Sequence, residues 1–133
     1  MSRSESAISK ACQLEASRRG HRLWRNNVGA LLDKRGVPVR YGLANESKEQ
    51  NKVLKSSDLI GLTRDGQFIA AECKKEDWRP GERPDDEAAQ QAFHNLVRSL
   101  GGLAGFVYSV TDGEPVMLWE MVGKELVLSG VIE

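Results

Sequence analysis

The sequence predicts a single α/β domain built on a mixed sheet, and three observations carry that prediction. Residues 6–19 repeat small and apolar residues with helical period. Residues 58–74 form two β-rich runs around Asp65-Gly66. A second helical stripe at 87–100 leads directly into an apolar strand at 103–110. A strand–helix–strand passage at 67–110 requires at least one parallel pairing. A chain of 133 residues holds one core, and nothing in it reads as a repeat or a domain boundary.

The elements follow in order. Ile8, Ala11, Cys12 and Glu15 fall at i, i+3, i+4 and i+7, one face of a helix that Gly20 ends. Leu23 and Trp24, then Val37, Val39 and Tyr41, suggest one or two strands around a loop. Residues 44–55 (ANESKEQNKVLK) are polar and read as a solvated, mobile loop. Asp65-Gly66 suits a type I′ hairpin between strands at about 58–63 and 67–74. Side chains alternate along a strand, so Glu72 and Lys74 share one face and Cys73 takes the other. Residues 76–86 are a loop rich in acids, Pro and Gly. Asp85 or Asp86 is placed to cap the second helix, which Gly101-Gly102 terminate and whose stripe is Phe93, Leu96, Val97 and Leu100. Runs at 116–122 and 125–132 are expected to close the chain as a hairpin or strand pair.

Composition narrows the function. Hydrophobic residues make up 40% and charged residues 29%, as in an ordinary globular protein. No apolar run reaches membrane-spanning length and the first residues lack a signal region, so the expectation is a cytoplasmic protein. Cys12 and Cys73 read as buried thiols. Net charge is zero but unevenly spread: residues 1–57 carry 12 Lys and Arg against 5 acids, and the remainder carries the opposite surplus. The first half therefore offers a basic surface to phosphates, unless the halves interleave in space.

The chemistry lies in the hairpin. Asp58 opens its first strand and Glu72 stands near the end of its second, so the turn sets them side by side. Two adjacent carboxylates repel, and a divalent cation removes that problem. Oxygen ligands of this kind suit Mg²⁺ or Mn²⁺, completed by waters and a backbone carbonyl such as that of Cys73. Lys74 adds a cation on the face of Glu72. A metal flanked by an ammonium fits phosphodiester hydrolysis. A bare D…ExK pattern also fits a solvated hairpin edge. What favours the metal is that both acids sit at the ends of apolar runs, LIGL and FIAAEC.

Taken together, SSDLIG, the hairpin and AAECKK resemble the PD-(D/E)XK nuclease superfamily, and in particular its VRR-Nuc branch. The resemblance continues upstream, where Glu15 precedes GHRLWRNNVG, and downstream in QQAFHNLVRSLGGLAGFVYSVTD. It spans about residues 5 to 112 and is similar to the stand-alone phage and bacterial proteins. Ser57 replaces the proline of the superfamily name, and Lys55 stands where a glycine often occurs.

The resemblance implies an α-β-β-β-α-β core with a mixed central sheet flanked by helices. It implies a Mg²⁺- or Mn²⁺-dependent DNA endonuclease selective for branched DNA such as four-way junctions, acting as a homodimer without an organic cofactor. Asp58 and Glu72 would bind metal, Lys74 would be the catalytic lysine, and Glu15 would assist at the metal or hold a second one. Gln90 would organise the site, with Gln91 as the fallback if the helix is rotated. Arg25, Asn27, Lys48, Lys52, Lys55, Ser57 and Lys75 are the candidate DNA contacts. Two alternatives stand beside this reading: a non-catalytic DNA-binding module of the same fold, and a nuclease for RNA or linear duplex. His21 and His94 are isolated, and His94 is expected at the surface. Trp24 and Trp119 are expected in the core. Trp78 is placed either to stack on a base or, more commonly for a loop tryptophan, to cover the core.

Overall fold

The computed structural model describes residues 4–79 and 81–107, together with the backbone of five two-residue strands beyond them. Trp119 and most of the runs at 116–122 and 125–132 lie outside the described residues. Helix α1 (Glu5–Arg18) leads through β1 (Arg22–Arg25) into a hairpin of β2 (Gly29–Leu32) and β3 (Pro38–Tyr41). Helix α2 (Lys48–Val53) precedes β4 (Leu59–Leu62) and β5 (Phe68–Cys73). Helix α3 (Pro84–Ser99) then crosses to β6 (Leu103–Val107). The strands β7 (Val110–Thr111) to β11 (Val131–Ile132) follow, and β11 joins the main sheet.

That sheet has the order β1-β4-β5-β6-β11, with α1 on one face and α3 on the other. The β5–β6 pair is parallel, as the crossover requires, and the other pairs are antiparallel. Alternation along β5 sorts its side chains between the two layers. Ile69, Ala71 and Cys73 join Ile8, Cys12, Ala16, Leu59 and Val107 beneath α1. Ala70 packs with Phe93, Val97 and Ala104 beneath α3. Small residues on both faces of the central strand let each helix sit close. Gly61 serves the same end at the β1–β4 pair: a Cβ there would stand 1.9 Å from the Arg22 carbonyl oxygen.

Four local expectations are corrected. Residues 44–55 are not one loop, because Ser47 caps α2 by accepting from the Gln50 amide at 3.0 Å. The hairpin turn is not type I′. The Gly66 amide donates to the Thr63 carbonyl at 2.9 Å, and only Gly66 has positive φ (+84°), which gives a three-residue loop with glycine in the left-handed position. Helix α3 begins at Pro84, and Asp85 and Asp86 lie in its first turn instead of capping it. Trp24 is 54% exposed: it lies on the edge strand β1, whose outer face α3 does not reach.

Candidate metal centre

The β4–β5 register pairs Leu59 with Ala71, so the next positions, Asp58 and Glu72, stand opposite each other. Their carboxyl groups lie near enough for Asp58 to act on the ionisation of Glu72. One Asp58 oxygen also accepts from the Cys73 amide at 3.0 Å, which ties that side chain across the strand end. Glu72 is only 5% exposed. Burial, and then the neighbouring Asp58 carboxylate, push its pKa well above the usual carboxylate range, while Lys74 opposes the shift. Both effects favour the protonated form of Glu72, and a bound cation would favour the ionised one.

The segment before Asp58 is held by Asn26. Its side-chain amide donates to the Ser56 hydroxyl at 2.8 Å and the Ser57 carbonyl at 2.9 Å, and its backbone amide donates to the Asp58 carbonyl at 2.7 Å. Ser57 is 1% exposed and its hydroxyl has no partner. Gln90 borders the same cavity of about 360 Å³ as Ser57, Asp58 and Glu72, and its side-chain oxygen is also buried without a partner. The helical expectation for Gln90, in preference to Gln91, agrees with this placement. Two orphaned oxygens beside two neighbouring carboxyls suit a hard cation with its waters. Among the described residues no group of three or more His, Cys, Asp or Glu side chains forms a complete cage. The protein's share is two carboxylates.

Lys74 is 8% exposed, and its backbone amide donates to the Val107 carbonyl at 2.8 Å. Its ammonium stands 5.6 Å from the ring centres of both Trp78 and Phe106. Trp78 is buried at 4%, as expected for a residue covering the core. His94 is not at the surface: it is fully buried, edge-on to Phe106 at 4.7 Å, and neither ring nitrogen has a hydrogen-bond partner. Burial, then the nearby Arg98 and Lys74 charges, depress its pKa to about 3, so the ring is neutral at physiological pH.

Glu15 is not brought to this site. It is buried at the other end of α1, bonded to Arg19 at 2.8 Å and Arg18 at 3.2 Å. The α1 glutamate near the carboxyl pair is Glu5, ten residues and about 15 Å away along the helix. Glu5 lines a second cavity, of about 530 Å³, with Ser9, Lys10, Arg25, Asn27, Asp58 and Cys73, and its charge acts on Glu72. The signal for it was present, since Glu5, Ile8, Cys12 and Glu15 all fall on one helical face.

The candidate DNA contacts divide in two. Arg25 and Asn27 are exposed beside Asp58. Lys48 and Lys52 are exposed on α2. Lys55 borders the smaller cavity but is engaged with Asn51 at 2.6 Å and Asp86 at 3.9 Å. Lys75 pairs with Glu82 at 3.7 Å. Ser57 is buried and reaches only the cavity wall. No helix is long and apolar enough to cross a membrane among the described residues. In comparisons with known proteins, no family model, curated protein or solved structure matches the chain.

Proposed function

We propose that the chain is a divalent-metal-dependent DNA endonuclease with a PD-(D/E)XK-like core. The observation that carries the reading is the pairing of Asp58 and Glu72 across the ends of adjacent strands, lining one cavity, with Lys74 on the same strand face. A structural ion pair does not account for it, because two acids meet there and, among the described residues, no Lys or Arg forms an ion pair with either.

Asp58, Glu72 and the Cys73 carbonyl would hold Mg²⁺ or Mn²⁺, which when bound supplies Lewis-acid polarisation of the phosphate and a more acidic water. Glu72 must be ionised to serve as a ligand. Lys74 presents its ammonium next to that carboxylate, where it neutralises charge building on the phosphoryl oxygens. The Gln90 oxygen and the Ser57 hydroxyl accept or donate to waters in the cavity and hold one in line. Glu5 takes the outer role expected of Glu15. Arg25, Asn27, Lys48 and Lys52 would meet backbone phosphates, so recognition would be by shape and charge. Branched DNA and a homodimer belong to the same reading. In its support, the β2–β3 hairpin leaves Leu31 66% and Leu32 70% exposed, an apolar arm that a second copy would cover.

The test is incubation with four-way junction, flap, linear duplex and RNA substrates in Mg²⁺ or Mn²⁺. Wild type is expected to cut junction DNA fastest, with Lys74→Ala and Asp58→Ala inactive. Equal activity in all three proteins would falsify the mechanism. Preference for RNA or linear duplex would keep the mechanism and change the substrate.

A further inference from the structure

We propose that Trp78, Phe106 and His94 form an aromatic cage that positions the Lys74 ammonium. The idea rests on the nuclease reading for its purpose, but its geometry stands independently. Lys74 leaves the strand end at a point where its side chain is nearly buried. Among the described residues its amine makes neither a hydrogen bond nor an ion pair. Two ring centres lie 5.6 Å from it. Those rings are themselves 5.2 Å apart and tilted by 37°, so they form adjoining walls. Phe106 stands opposite Glu72 in the parallel register, so its ring is on the sheet face that the acid and the lysine share.

His94 supports the Phe106 wall, meeting it edge-on at 78°. A fully buried imidazole with both nitrogens unpartnered gives up hydrogen bonds that a surface histidine keeps. Its contribution here is the shape of a neutral ring, which adds no second cation beside the ammonium. Trp78 is fixed from the other side. Trp78 bears on the Glu87 carboxylate, which accepts from the backbone amides of Gly81 at 2.7 Å and Arg83 at 2.8 Å. The loop after β5 is thereby closed onto α3 with the indole turned inward. Aromatic faces attract an ammonium without occupying its N–H donors. The cage thus restricts where Lys74 can point and leaves all three donors for a phosphate oxygen. These three residues are positioning residues, since none is placed to touch the substrate.

The test uses the full chain in two measurements. In ¹H–¹³C spectra of the metal-free protein, the Lys74 ε-methylene protons, assigned with Lys74→Arg, should lie upfield of the other lysines. Trp78→Leu should return them to the common position and Trp78→Phe should keep part of the shift. In single-turnover cleavage, Trp78→Leu should slow the chemical step about tenfold, roughly 1.4 kcal/mol, with DNA affinity unchanged and Trp78→Phe largely restored. Phe106→Leu should behave like Trp78→Leu, and agreement of the two guards against a folding defect in either. Wild-type protons without an upfield shift would overturn the cage. A shifted lysine with undiminished cleavage in both leucine variants would overturn its role. If wild type cuts nothing, the nuclease reading fails and takes the cage's purpose with it, while the spectrum still decides whether the cage exists.

Discussion

Glu72 and Glu15 are both buried, at 5% and 6% exposure, yet they are charged groups of different kinds. Glu15 brings its own counter-ions from its own helix, Arg18 and Arg19. Glu72 faces another carboxyl, which together with burial raises its pKa. Burial alone therefore does not mark a functional acid. An acid facing a second acid, beside orphaned polar atoms, calls for a cation from outside. An acid clasped by arginines is part of the scaffold.

The sharpest way to break this contrast is to remove charge at each end. Asp58→Asn should reduce DNA cleavage by on the order of 10²–10³-fold, whereas Glu15→Gln should cleave at nearly the wild-type rate. Loss of activity in Glu15→Gln with its fold intact would erase the distinction. Glu5→Gln should sit between them, slowing cleavage by about tenfold with little change in melting temperature. Activity equal to wild type would remove Glu5 from the site.

Stability should move in the opposite sense. Glu72 has a raised pKa in the folded state, so its contribution to stability is full below the ordinary carboxyl value of 4.5 and is lost as pH rises through the folded value. Glu72→Gln should therefore melt a few degrees higher than wild type at pH 8 in EDTA, with the gap closing toward pH 4. A gap independent of pH would contradict the assignment. The smallest effect expected is the stability lost in Glu15→Gln, about 1 kcal/mol by thermal unfolding, because its arginine partners are 54% and 40% exposed and well screened.

The contrast also explains what could be read in the sequence. Asp58, Glu72 and Lys74 were legible because a tight hairpin converts sequence distance into contact, and because alternation assigns faces. Gln90 came from the resemblance, and the α3 stripe was only compatible with it. Glu5 was not distinguished from Glu15, since helical periodicity fixes a face but not which end of the helix meets the strand ends. Helix α2 was missed because its six residues carry no apolar stripe. Its support comes from the Ser47 cap and from the Lys55 amide bonding the Ala89 carbonyl at 3.0 Å, a partner distant in sequence. The burial of His94 depends on Phe106 and Lys74, which arrive from other strands. Trp24 is exposed because β1 ends the sheet, and edge position is a property of topology.

The central claim is most directly tested by calorimetric titration of Mn²⁺ into the protein near pH 6, in two buffers of different ionisation enthalpy. The account predicts saturable binding with proton release, retained in Glu15→Gln and lost in Asp58→Asn. Absence of saturable binding, or binding that Asp58→Asn leaves intact, would contradict it.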